Sequence, residues 1–366
     1  MWAMIVKELR QLRRDRRTLA MMIVLPLVLL VVFGYAASFE VTSIPTAVVG
    51  PRAEQVAAGL RAPFEVVSVD PSKDRADAVS DLRDARTPVA VVAGGDGIEL
   101  LVDGSELFTA QAAERALPQA SLSSQASAGG QALPASPAKL SVLFNPSLDT
   151  SAVMVPGLAA MILLFVGTVI TSLGVVRERQ AGTLEQLAVM PLRPTDVFLG
   201  KIAPYFLVGA IDMTIVVVAG VLLFDVPFHG SVLVFALGAL LFLFVALGIG
   251  VLISSVSQNQ GQAIQLAIMT LLPQIMLSGL IFPLRAMAAG VRWIGDILPL
   301  TYFVQISRGV MLRAAPLGAL WQPFVYLAVL GVVVLALATL RFRRQLAPAP
   351  VRTRRRPALE TAGAAR

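Results

Sequence analysis

Apolar residues along this chain gather into six runs long enough to cross a bilayer, which takes about 20 residues of helix. The runs lie at 19–37, 151–176, 202–224, 231–254, 262–282 and 323–340. Residues 38–150 follow a different rhythm. There "PTAVVGP", "FEVVSV", "PVAVVAGG" and "GIELLVDGS" are short β-branched runs closed by Gly or Pro, and "LSVLFNPSL" reads as a last strand leading back to the membrane. Gly95-Asp96-Gly97 is a hairpin-type turn, and Ala76, Val79 and Leu82 recur at helical spacing within Lys73 to Arg86. The Ser, Ala, Gln and Gly-rich stretch at 120–137 has no period and reads as a flexible or loosely helical arm. The pattern predicts an all-α membrane protein with six transmembrane helices and a small α/β extracytoplasmic domain inserted between the first two.

Three polar-apolar mixtures complete the plan. At 1–18, Met4, Ile5, Leu9 and Leu12 form an apolar stripe opposite a basic face, as in a helix lying in the membrane interface. At 177–201, Thr183 and Gln186 match a capping box, Leu184, Leu187 and Ala188 share a face, and Pro191 with Pro194 ends the element. A helix that short is unstable alone in water and needs a surface or a partner. At 283–322, "ILPLTYFVQISRGVML" resembles a seventh span but holds Pro299 and Arg308. It is read as outer re-entrant helices, tolerated where other spans shield the backbone.

Composition agrees with the membrane class. The chain is 56% hydrophobic and 14% charged, with a mean hydropathy of +0.77, against about 25% charged residues in soluble domains. The first run exceeds the usual apolar core of a secretory signal and contains Pro26, so it is kept as an anchor. Basic residues set the orientation. They crowd the segment before the first run, the 177–201 loop (Arg177, Arg179, Arg193, Lys201) and the tail at 341–366. The positive-inside rule then places both termini in the cytoplasm. Residues 38–150 carry fourteen acidic against eight basic residues, as suits an external domain.

Candidate chemistry is sparse. With no cysteine and one histidine, His229, the chain offers no thiolate metal site, and no metal or triad partner lies near that histidine. No phosphate-binding G-x-x-x-x-G-K-[ST] loop occurs, and "GIG" at 248–250 lacks a third glycine. Catalytic residues, metal and cofactor are therefore expected to be absent from this chain. Asp212 lies well inside the third run, where a carboxylate normally faces a cavity or partner. Ser254, Ser255, Gln258, Gln262 and Gln265 form a polar band at the cytoplasmic end of the fourth and fifth runs, which reads as an interface rather than a site. Asp212, Ser254, Gln258 and Arg308 are the candidates for a substrate path or a dimer interface, with helix packing the plainer alternative. The basic tail suits anionic membrane lipid, and no aromatic residues interleave its charges as nucleic-acid binding would require.

"VVRERQAGTLEQLAVMPLRPTDVFLGKIAPY" resembles the cytoplasmic loop of ABC-2 type transporter permeases, the exporter subunits that include drug-resistance and daunorubicin-type efflux permeases. "MIVKELRQLRRDRRTLAMMIVLPLVLLVVFGYA", "FNPSLDTSAVMVPGLAAMIL", "MLSGLIFPLRAM" and "ILPLTYFVQISRGV" are similar to other parts of that family, so the resemblance covers nearly the whole chain. Two places depart from it: Arg313-Ala314-Ala315 stands where a glycine is expected, and "RAMAAGVRW" lacks the usual Met-Pro. The resemblance implies a permease without enzymatic residues, paired with a cytoplasmic ABC ATPase that holds ATP and Mg. It also implies a second permease half, identical or homologous, and admits a periplasmic adaptor. Glu178, Thr183, Leu184, Glu185, Leu187 and Pro191 would then couple ATPase closure to the spans. The competing classes are an ion-coupled secondary transporter, for which Asp212 is the one clear intramembrane carboxylate, and a membrane-anchored sensor acting through its external domain.

Overall fold

A computed structural model describes residues 43–94, 97–126, 139–181 and 194–346, together with Ala20, Val41 and Leu27. The amphipathic segment 1–18, nearly all of the run at 19–37, the centre of the 177–201 loop and the tail beyond 346 lie outside the described residues.

The inserted domain is a five-stranded sheet. Its strands are β1 (Ile44–Val49), β2 (Phe64–Asp70), β3 (Val89–Ala93), β4 (Ile98–Asp103) and β5 (Lys139–Leu143), in the spatial order β2-β1-β3-β4-β5. β1 pairs in parallel with β2 and β3, β3 runs antiparallel to β4, and β4 pairs in parallel with β5. The antiparallel step is where the chain turns directly from β3 to β4, with the Gly94 N–H donating to the Gly97 carbonyl at 3.1 Å. Parallel neighbours need crossovers. Helices α1 (Ala53–Gly59), α2 (Arg75–Arg83) and α3 (Leu107–Ala126) lie between the strands.

Both faces of the sheet are covered, which explains the continuous apolar runs. Ala53 and Val56 of α1 and Ala110, Ala113 and Ala116 of α3 share one core with Ile44, Val48, Val91 and Val102. Ala78 and Leu82 of α2 pack on the other face with Ala47, Val49, Ala90 and Leu101. α2 starts on a reciprocal capping box, in which Asp74 accepts from the Ala76 and Asp77 N–H groups and Asp77 accepts from the Asp74 N–H. Gly50 has φ +105°, and a Cβ there would sit 2.7 Å from the Ala93 carbonyl oxygen, so only glycine lets β1 turn this close to β3. The arm expected at 120–137 is in part regular, since α3 runs to Ala126. Its Ala and Gln residues propagate a helix already begun on an apolar face.

An ion pair staples α2 to β4. Arg75 Nε and Nη2 donate to the Glu99 carboxylate at 2.8 and 3.1 Å, and Ser141 Oγ adds a third bond at 2.7 Å. Arg75 first, and Ser141 to a lesser degree, hold the Glu99 carboxyl below its ordinary range. A lowered folded pKa contributes stability above the unfolded value of about 4.3, and that contribution is lost as pH falls through the folded value. The pair is largely solvent-screened, so the effect is below about 1 kcal/mol. Melting of the full chain against pH checks this: the wild-type advantage over Glu99→Gln is expected to disappear on acidification below about pH 4.

The rest of the described chain is mainly helical. α4 (Thr150–Gln180), α5 (Pro194–Phe224), α6 (Val232–Val256), α7 (Gln260–Leu277), a 3₁₀ turn (Leu284–Ala286), α8 (Ala289–Gly295), α9 (Pro299–Met311) and α10 (Trp321–Leu346) follow in order. Among the described residues, four helical stretches are long and apolar enough to cross a membrane: Thr150–Gln180, Ile202–Phe224, Val232–Val256 and Trp321–Arg341. α7 is not one of them. It carries Gln260, Gln262, Gln265 and Gln274, and it stops at Leu277, five residues before the end of the apolar run at 262–282. Gly279, at φ +80°, follows it and turns the chain. α4 also continues through Arg177, Glu178 and Arg179, because helix propensity outlasts hydropathy there. With α4 running to Gln180 and α5 starting at Pro194, both ends of the polar pattern at 177–201 are helical, and residues 182–193 lie outside the described residues.

α4 and α6 form the centre of the bundle, flanked by α5, α9 and α10. Phe242 of α6 stacks on Phe303 of α9 with ring centroids 4.7 Å apart. Small residues bring α4 and α6 together: Gly167 and Gly250 lie at their contact, and Thr168 Oγ1 donates to the Ala246 carbonyl at 3.4 Å. Close backbone approach of this kind replaces the hydrophobic drive that is missing between helices in lipid.

Candidate functional site

The predicted residues separate to two ends of the helical bundle. At one end, α4 runs out toward the 182–193 link. Glu178 is half-buried there and engaged with the surrounding protein. Arg179 Nη1 donates to the Ser257 carbonyl at 2.8 Å, at the C-terminus of α6, where a cation and a donor are both favourable. Gln260 Nε2 donates to Gln180 Oε1 at 3.0 Å. The end of α4 is therefore tied to the turn that joins α6 to α7. Thr183, Leu184, Glu185, Leu187 and Pro191 lie outside the described residues.

The polar band proves to be mostly local. Ser254, Ser255 and Ser257 return their hydroxyls to the carbonyls of Val251, Leu252 and Ile253 at 2.6 to 2.7 Å, and Ser254 is fully buried. Gln258 is exposed, and its backbone N–H is taken by Gln262 Oε1 at 3.0 Å. Asn259 caps α7 by accepting from the Gln262 N–H at 2.9 Å. These residues close a turn, and they do not converge with Asp212. That carboxylate sits half-buried on α5 with no partner among the described residues. Around it α5 exposes Leu207, Val208, Ile211 and Ile215, each more than half accessible.

The other end meets the sheet domain. Arg308 of α9 donates from Nη1 to the Gly279 carbonyl at 3.3 Å and from Nη2 to the Leu280 carbonyl at 3.2 Å. The guanidinium thus forms a fork that satisfies the carbonyls just past α7. Two turns of chain later lies a residue that the candidate set lacks. Arg313 Nη1 contacts the Asp103 carboxylate at 3.1 Å, with the side chains 6% and 1% accessible. Asp103 ends β4 and also accepts the Ser105 N–H at 2.8 Å. Leu312 packs beside this pair on Leu107, Ala152 and Val153. The sheet domain is thereby joined to α9 by a buried ion pair between residues 210 apart in sequence. Ala314, which follows, has φ +51°. That is the left-handed region glycine enters at no steric cost, so the unusual Arg-Ala-Ala keeps a backbone turn suited to glycine. The departure at 313 was the available signal for this contact, but nothing local pointed to Asp103.

Between the sheet domain and the helices α8 and α9 lies a cavity of about 360 Å³. Arg308 and Arg313 line it, as do Glu106 at the start of α3, Arg285 and Arg292.

A family model described as "ABC-2 family transporter protein" matches residues 16–340, sheet domain and helices alike. The chain belongs to the ABC-2 transporter family. Its relatives include "Probable multidrug ABC transporter permease YbhS" of Escherichia coli (strain K12), 29% identical across 94% of this chain and 97% of that protein. "Probable multidrug ABC transporter permease YbhR" from the same strain is 30% identical across 94% of this chain and 99% of its own length. "Inner membrane transport permease YhhJ", again of that strain, is 34% identical over 208 residues, which is 56% of this chain and 54% of that one. As an ABC-2 transporter the protein is a multi-pass membrane subunit, and the family implies an ATP-binding partner subunit. The Arg179 clamp and the Arg313 to Asp103 pair are then features of the two ends of an ABC-2 permease.

Proposed function

We propose that this permease is one membrane half of an exporter that carries drug-sized amphiphiles out of the bacterial cytoplasm, driven by ATP and Mg held on a separate cytoplasmic ATPase. The near full-length likeness to proteins named as multidrug ABC transporter permeases carries this reading. In the proposed arrangement the six runs form six spans with both termini cytoplasmic, a second permease half completes the pathway, and residues 38–150 stand outside.

The 182–193 link would be the docking point, with Thr183, Leu184, Glu185, Leu187 and Pro191 facing the ATPase and Glu178 at its root. The clamp at Arg179 and Gln180 supports this, because a push on the link would reach α4, α6 and α7 together. Such a lever works provided the partner binds its two positions differently. Asp212, half-buried and without a partner among the described residues, stands where a cationic cargo or the second half would approach.

Capture of the tagged protein in mild detergent, followed by mass spectrometry, tests the reading. Wild type is expected to retain an ABC ATPase, and Glu185→Arg/Leu187→Asp is expected to retain at least about tenfold less while still inserting and melting normally, a loss of about 1.4 kcal/mol or more in binding. Absence of any ATPase, even after crosslinking in membranes, would overturn it.

A further inference from the structure

The cavity between the sheet domain and the helices α8 and α9 lies at the level where two membrane-type helices begin. Val153 and Met154, in the first turn of α4, line it, as do Gln322 and Pro323, in the first turn of α10. Trp293 and Trp321 are immediate neighbours of lining residues and are 58% and 57% accessible. Exposed tryptophan at the end of apolar helices marks the headgroup region of a bilayer. Ile297 and Leu317, also close in sequence to lining residues, are exposed as well.

The charges facing the cavity are unbalanced once pairs are removed. Arg313 is matched by Asp103, and Asp84 is matched by Arg86 at 3.4 Å. Arg285, Arg292 and Arg308 then face Glu106 and Asp296. Arg285 and Arg292 are exposed and make no ion pair among the described residues. In addition, the Nε atoms of Arg308 and Arg313 are sealed from solvent without an acceptor. Buried guanidinium N–H groups are normally satisfied by protein, water or an anion. The planar Arg fork suits a phosphate.

We propose that this cavity holds the phosphate head of an anionic phospholipid, with its acyl chains lying across the exposed apolar residues beside Trp293 and Trp321. Lipid is preferred to a free anion because the charged wall and the exposed apolar rim adjoin at one membrane level. The proposal rests on membrane insertion and is independent of export, so it can fail while the ATPase reading stands.

The full-length protein, stripped of lipid in detergent, is titrated with dioleoylphosphatidylglycerol and followed by native mass spectrometry, with dioleoylglycerol as the probe lacking phosphate. One saturable phosphatidylglycerol adduct is expected, at least tenfold weaker in Arg285→Gln/Arg292→Gln, whose changes fall on exposed side chains, and severalfold tighter in Glu106→Gln. The melting temperature of each variant shows that its fold is retained. Equal binding of dioleoylglycerol, or equal phosphatidylglycerol affinity in all variants, would overturn the proposal. Displacement of the adduct by millimolar inorganic phosphate would overturn the lipid assignment in favour of a free anion.

Discussion

Arg313→Ala is expected to destabilise the permease by about 3–5 kcal/mol, the range for removing one member of a buried ion pair. The reason is the group left behind. Asp103 is 1% accessible, and of the bonds to its carboxylate only that from the Ser105 N–H stays once the guanidinium is gone. Ionised, it would be an uncompensated charge in a dry interface between the sheet domain and α9. Asp103→Asn/Arg313→Met should recover most of the loss, because the amide oxygen can still accept from Ser105 and the methionine fills the space of the arginine stem. Thermal unfolding of the purified protein in detergent, together with protease sensitivity of the sheet domain, checks both variants. A single variant that melts within a degree or so of wild type would show that the pair contributes nothing to joining the two parts.

Gly250→Leu is expected to abolish correct folding, and Gly250→Ala to cost about 1–3 kcal/mol, the usual penalty of overpacking. A Cβ at position 250 would lie 2.8 Å from the Thr168 carbonyl oxygen and 2.9 Å from the Thr171 Cβ. Neither atom can swing aside, since one is helix backbone and the other is the branch point of a side chain. The α4 to α6 contact would have to open along its length, taking with it the stack of Phe242 on Phe303. Gly200→Ala supplies the control: nothing lies within 4 Å of its Cβ site in α5. That change is expected to be neutral or to stabilise by about 0.5–1 kcal/mol through helix propensity. Melting temperature and monodispersity in size exclusion separate these outcomes.

Both effects bear on how far the chain can be read without its fold. Strands β1, β3 and β4 were legible because both faces of the sheet are covered, so whole runs such as Val89–Ala93 are apolar and β-branched. The helices α4, α5, α6 and α10 were legible because a lipid-facing helix must be apolar around its circumference. α7 was less so. Gln260 reaches Gln180 of α4 and Gln262 accepts from the Gln258 N–H in the turn. The amide oxygens of Gln265 and Gln274 are buried without a donor among the described residues, and hydropathy alone does not set where such a helix stops.

Candidate residues divide along the same line. Arg308 stood out because arginine amid apolar sequence demands acceptors, yet its acceptors, the carbonyls of Gly279 and Leu280, are 29 and 28 residues away. Ser254 and Gln258 belong to a polar band that sequence reads as an interface; the fold uses Ser254 to back-bond its own helix and places Gln258 on the surface. Sequence by itself determined the membrane class, the inserted α/β domain and the family likeness, since hydropathy, β-branched runs and motifs are local and accumulate over short windows. Only the tertiary structure decided that Arg313 answers Asp103, that Gly250 meets Thr168, and that Arg179 ties α4 to the α6–α7 turn. Each of these depends on two distant segments reaching hydrogen-bonding or van der Waals distance, and in lipid that approach is set by packing rather than by hydrophobicity.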